Sequence, residues 1–211
     1  LQLLEQPKVA RYLSHVARHQ AAGAASDPAL SHHVMRRRQD AASLGLCAFM
    51  ADHRDVYIVS AVRTPIGCFQ GALKSQTAVD LGVAAAKAAI ERANIQPTDI
   101  QEALIGCVLQ AQLGQSPARQ VALRAGCPPS TDATTVNKVC ASGMKCVALG
   151  AQSIRLGENE VILAGGMESM SRAPYYLQRG LMFGDASLSD AVLHDGLTDA
   201  LSQQHMGQCA D

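Results

Sequence analysis

In the stretch TTVNKVCASGMK, residues 134 to 145, a β-branched run that reads as a strand leads straight into Cys140 and then into small, helix-forming residues. A thiol at such a junction meets the first free backbone N–H groups of the helix, which favour a thiolate over a thiol. That is the setting of a nucleophile. A buried structural cysteine is the other reading of a free thiol. The remaining thiols offer less. Seven cysteines, at 47, 68, 107, 127, 140, 146 and 209, are odd in number, form no CxxC pair and follow no secretory signal, so they read as reduced. His205 and Cys209 stand close together but would need two further ligands to hold zinc. No metal site is expected. With no Gly-rich phosphate loop, a nucleotide cofactor is not expected either.

The elements around Cys140 come next. The chain has 211 residues, 48% of them hydrophobic and 17% charged, enough to bury a sizeable core in one domain with part of another. Eighteen basic and eighteen acidic side chains give a formal net charge of zero, which disfavours nucleic acid and anionic membrane as partners. The apolar runs end well before the roughly 18 residues of a spanning helix.

Charge is unevenly spread. Residues 1–49 hold six Lys/Arg against three Asp/Glu, with four of the seven histidines, whereas residues 50–211 hold twelve against fifteen. The first part, with ARYLSHVARHQAAGAASDP and HHVMRRRQD, has the composition of an organellar transit peptide, although it begins without methionine. Met35 or Met50 could open a shorter, cytosolic product, so mitochondrial and cytoplasmic residence both stay open. Weak patterning predicts poor order through about residue 52.

From Asp55 the pattern is regular. VYIVSAVRTPI reads as a buried strand stopped by Pro65, and TAVDLGVAAAKAAIERAN as a helix. EALIGCVLQ, ATTVNKV and NEVILAGGMESM read as further strands. Between them SPARQVALRAG reads as a helix closed by Gly126, and ASGMKCVALGAQSIRL as one closed by Gly157. This alternation predicts an α/β fold with a mixed, largely parallel sheet and helices on both faces, whose chemistry collects where strands end and helices begin. Beyond Gly166 the regularity fails, except for an amphipathic helical piece, LSDAVLHDGLTDAL, that could pack over the site.

NKVCASGMK, AGGMESMS, SAVRTPIG, GQSPARQ and DGLTDAL with HMG, in this order, resemble the amino-terminal half of a thiolase, nearest the acetyl-CoA acetyltransferase branch, over about residues 55–211. The resemblance implies a thiolase-type layered domain: residues 1–52 a leader, 53–167 an incomplete amino-terminal α/β domain, and 168–211 the start of an inserted loop domain. The first domain's last strand would come after that insertion, leaving this sheet one strand short. It implies a reversible condensation of two acetyl-CoA to acetoacetyl-CoA and coenzyme A through an acyl-cysteine, with the coenzyme A thioester as substrate and no separate cofactor. Cys140 matches the acylated nucleophile, and its backbone N–H would donate toward the thioester oxygen. His205 and Met206 match a pair facing the acyl pocket, and Leu197 matches a residue bordering bound pantetheine. Ser142 and Gly143 fit either a turn made tight for a thioester or an ordinary helix start. Met144, Met167 and Met170 read as packing residues.

The other catalytic roles are carried in the family by a Gly-His-Pro histidine, a Cys-x-Gly cysteine and an Asn-Glu-Ala-Phe asparagine of the second domain. None of these motifs occurs in this sequence. The chain alone is therefore expected to be inactive. A degradative 3-oxoacyl-CoA thiolase and a non-catalytic interaction partner are the alternative readings. The resemblance also implies a full-length homo-oligomer, dimer or tetramer, with GQSPARQ and ATTVNKV at a two-fold interface.

Overall fold

The computed structural model describes residues 2–5, 55–180 and 183–210. Most of the leader predicted for 1–52 lies outside the described residues.

Five strands form one sheet: β1 (Gln2–Glu5), β2 (Tyr57–Ala61), β3 (Glu102–Gly106), β4 (Asp132–Val136) and β5 (Val161–Gly166). Their spatial order is β2-β1-β5-β3-β4. β3 pairs in parallel with β4 and β5, while β1 runs antiparallel to β2 and β5. The sheet is mixed and largely parallel. Gln2–Glu5, a segment expected to lack order, pair between β2 and β5.

The helices are α1 (Ala78–Ala93), α2 (Pro117–Ala125) and α3 (Ser142–Leu156). Their ends follow local chemistry. Thr77 caps α1 by accepting from the Asp80 N–H while the Asp80 carboxylate accepts from the Thr77 N–H, a closed capping box. Pro117 opens α2, and glycines at positive φ, Gly126 and Gly157, close α2 and α3.

From β3 the chain steps outward to β4, then turns back past β3 to β5. Right-handed crossovers therefore place α2 and α3 on opposite faces. The strands show it residue by residue. Ala103, Ile105, Val161 and Leu163 join the core under α1 and α2, while Leu104, Ile162 and Ala164 join the one under α3. This period of two explains why the strands read as continuous apolar runs: both faces are covered. β2 departs from that pattern. Tyr57 and Ile58 are about half exposed because β2 is a sheet edge, not the buried strand its composition suggests.

Past β5 the chain forms a short hairpin, β6 (Tyr175–Tyr176) with β7 (Ser189–Asp190), then a six-residue π-helix, Val192–Leu197, and α4 (Met206–Ala210). The helix predicted across LSDAVLHDGLTDAL is thus confined to its middle. Its start is spent on β7, where Asp190 accepts from the Val192 N–H. Its end turns out at Thr198, which bridges to His205.

Candidate active site

β4 ends at Val136, α3 begins at Ser142, and the turn between them carries Cys140. Its tightness is paid for at Val139, whose φ of 48° lies in the left-handed region that a β-branched residue rarely adopts. Four hydrogen bonds hold it there. The Asn137 side-chain oxygen accepts from the Val139 N–H at 2.9 Å, and the Ser142 N–H donates to the Val139 carbonyl at 3.1 Å. The Ser142 hydroxyl accepts from the Lys138 N–H at 2.8 Å and donates to the Val139 carbonyl at 2.6 Å. Ser142 is buried, so its hydroxyl is a structural clamp on the elbow. Cys140, at the crest, is exposed.

Three glycines let the elbow sit against the sheet. A Cβ on Gly106, at the end of β3, would lie 2.6 Å from the Ser142 carbonyl carbon. One on Gly166, at the end of β5, would lie 3.1 Å from the Gly143 Cα. Only bare backbone fits there.

Over these strand ends opens a cleft of about 420 Å³. Its floor is Gly106, Gly166 and the elbow residues Val139, Cys140, Ser142 and Gly143. Its walls are Cys107 to Leu109, then Met167, Glu168 and Met170, and Val192, Gly196 and Leu197 of the π-helix. The lining is mostly apolar with one carboxylate, that of Glu168, which is already engaged. Its two oxygens accept from the Val108 and Leu109 N–H groups at 2.9 and 3.1 Å, and the Cys107 sulfur lies 3.6 Å away. Burial, reinforced by this neighbouring negative charge, pushes the Cys107 thiol up to about 12. Two thiols thus share the cleft in opposite circumstances. Cys107 is a buried, inert thiol and Cys140 an accessible one.

The structure brings Cys140 and Leu197 to one cleft. His205 and Met206 lie outside its lining, both exposed, with the His205 Nδ1 accepting from the Gly207 N–H at 3.1 Å. Met167 and Met170 line the cleft, and Met144 is exposed, so the packing role fits Met167 alone among the three and Met167 serves the cleft as well. Sequence reasoning gave no role to Glu168 or Cys107. The available signal for Glu168 was a lone acid directly after an apolar strand ending in Gly-Gly. No cluster of three metal-binding side chains occurs among the described residues.

An exposed thiol on a strained turn, seated on glycines at the carboxyl ends of parallel strands, lies where the functional sites of α/β folds collect. The chain belongs to the thiolase family: residues 56–211 match the thiolase N-terminal domain. It is 56% identical to an acetyl-CoA acetyltransferase of Yarrowia lipolytica, over 74% of this chain and 39% of that protein. It is 55% identical to a cytosolic acetyl-CoA acetyltransferase of Gibberella zeae, over 77% and 42%. A crystal structure of a thiolase from Ascaris suum in complex with coenzyme A superposes with a TM-score of 0.71 at 47% identity, covering 73% of this chain and 41% of that one. The chain thus spans about two fifths of the length of the relatives it matches.

Proposed function

We propose that this chain carries the acyl-accepting half of an acetyl-CoA C-acetyltransferase site, with Cys140 as the nucleophile. The supporting observation is the placement of an exposed Cys140 on the Val139–Ser142 elbow, in the same apolar cleft as Leu197. The Cys140 sulfur adds to the thioester carbonyl carbon of acetyl-CoA, and the bond from that carbon to the coenzyme A sulfur breaks. Coenzyme A leaves as its thiol and the acetyl group stays on Cys140. The Cys140 N–H, at the start of α3, is the donor placed toward the oxygen where charge develops. In the second half-reaction the α-carbon of another acetyl-CoA, having lost a proton, attacks the acyl carbon. Acetoacetyl-CoA forms and Cys140 is released. Coenzyme A thioester is thus substrate, and the scheme uses no separate cofactor.

Leu197 borders the pantetheine arm in this reading, while His205 and Met206 take their places at the acyl pocket only if the 198–206 segment folds inward from its position here. The base and the enolate-side donors of the second half-reaction have no match in this sequence, and each such role is worth on the order of 100-fold in rate. The chain by itself therefore accepts an acyl group without turning over. The compartment has two supports that diverge. A relative is named cytosolic, and residues 1–49 have a presequence-like composition. Subcellular fractionation decides between them.

Thiolysis of acetoacetyl-CoA, followed at its magnesium-enhanced absorbance with Cys140→Ala as control, tests the reading. The expected trace is a loss of substrate no larger than one equivalent per chain, abolished in the variant. Sustained turnover would overturn the half-site reading, and an equal trace in Cys140→Ala would remove Cys140 from the mechanism.

A further inference from the structure

The loops that leave β3 and β5 run side by side at the cleft, and one carboxylate joins them. The ladder between these strands is carried one step past Gly106, where the Met167 N–H donates to the Gly106 carbonyl at 2.9 Å. On the other side the Cys107 N–H donates to the Val136 carbonyl of β4 at 3.0 Å. Beyond Cys107 the β3 loop leaves the sheet, and its next two N–H groups, those of Val108 and Leu109, turn toward one point. Successive N–H groups arranged in this way form a nest for an anion. Glu168 fills it, Oε2 accepting from Val108 at 2.9 Å and Oε1 from Leu109 at 3.1 Å. The Gln110 side-chain amide donates to the Cys107 carbonyl at 3.0 Å and closes the turn from its other end.

The anchored loop reaches the π-helix. Leu109 is buried, and a Cβ placed on Gly196 would lie 3.7 Å from the Leu109 Cδ2, so the leucine sits at contact range from the helix backbone just before Leu197. Glu168, Leu109 and Gly196 thus form a strut from the carboxyl end of β5, across the tip of the β3 loop, to the wall that carries Leu197. All three line the same cleft as Cys140. The elbow itself is held separately, by the Asn137 and Ser142 side chains. A change at Glu168 therefore releases the wall and leaves the thiol in place. Without the carboxylate the Val108 and Leu109 donors must find other partners, and Leu109 moves with its own N–H.

We propose that Glu168 is a positioning residue of acyl transfer: by holding Leu109 against Gly196 it keeps the Leu197 wall at the distance from Cys140 at which a coenzyme A thioester is captured. The proposal rests on the acyl-accepting reading of Cys140. Glu168 touches no reacting atom and acts through Leu109. A displaced wall weakens capture of the thioester and leaves the attack of Cys140 on a captured one largely intact, which separates affinity from limiting rate. A small reagent that needs no wall is indifferent to it.

The test is single-turnover acetylation of Cys140 in the full chain over a range of acetyl-CoA concentrations, beside iodoacetamide labelling of the same thiol. Glu168→Gln keeps one acceptor oxygen and turns an NH2 group on the other donor. It is expected to raise the half-saturating acetyl-CoA concentration about tenfold, with the limiting rate within about twofold of the parent and iodoacetamide labelling unchanged. Leu109→Ala should give the same shift, and the double variant no more than the larger of the two. An unshifted half-saturation in Glu168→Gln would overturn the proposal. So would additive losses in the double variant, or an equal loss of iodoacetamide labelling, which would mean that the elbow and not the wall had moved. Should Glu168→Gln lose the protection of its α3 amides, Leu109→Ala decides alone, and an unshifted half-saturation there overturns the proposal. A parent chain that is not acetylated at Cys140 removes the acyl-accepting reading and this proposal with it, whereas a normal parent with an unshifted variant removes the proposal only.

Discussion

Cys140 differs from Cys107, Cys127 and Cys146 in what surrounds the sulfur. Burial raises all three of the latter, Cys107 to about 12 and Cys146 to about 11, and at neutral pH they stay thiols. Cys140 is exposed and lies in the turn two residues ahead of a fifteen-residue helix. Timed iodoacetamide labelling with mass mapping should therefore modify Cys140 well before those three, and ahead of the exposed Cys68, which has no helix start beside it. Equal rates would mean that the elbow is not formed. The sign of the pH effect follows from the raised thiols. Unfolding lets them ionise in the ordinary thiol range, so their contribution to stability is whole below about pH 9 and is lost as pH rises toward 12. Ser142→Ala removes one acceptor and one donor from the clamp on Val139. A loss of about 1–3 kcal/mol is expected in denaturant titration, together with slower Cys140 labelling.

At the scale of elements, α1, α2 and α3 were legible almost to the residue, because capping box, N1 proline and terminal glycine are local signals. The strands were legible as existing but read three to five residues too long at their carboxyl ends. There the apolar run continues into Cys107 to Leu109 and Val139, residues that line the cleft. β1 was not legible, since four residues without a turn beside them gain their structure only from β2 and β5. The site was legible where a thiol meets a helix start. Glu168 was not, because its role is to hold the Val108 and Leu109 amides about sixty residues away. Two predictions belong here. Gly106→Ala forces a Cβ onto the backbone of the elbow and should cost about 1–3 kcal/mol while suppressing Cys140 labelling. The Asp80 carboxyl is held down to about 2, first by the Thr77 hydroxyl and then by Arg124, which it meets at 2.5 Å. Its stabilising contribution is therefore complete above about pH 4 and is lost as pH falls toward 2. In Asp80→Asn that acid dependence should shrink, and chemical denaturation across this window reads it directly.

For the whole molecule, β4 is the outer edge of the sheet, and a strand edge is where another chain can add. A two-fold contact there, with the GQSPARQ segment beside it, is the assembly we propose, and light scattering should find a dimer that Ala133→Pro, at an outward-facing N–H of the edge strand, disperses. A clean monomer of the parent at high concentration would remove this proposal. The central claim is chemical, and one measurement reaches it most directly. The purified chain is incubated with acetyl-CoA, quenched in acid and peptide-mapped by mass. The account predicts a single acetyl group on the peptide carrying Cys140, released coenzyme A in equal amount, and no adduct in Cys140→Ser. An adduct on another residue, or none on a chain whose α1 and α3 amides are protected, would contradict it.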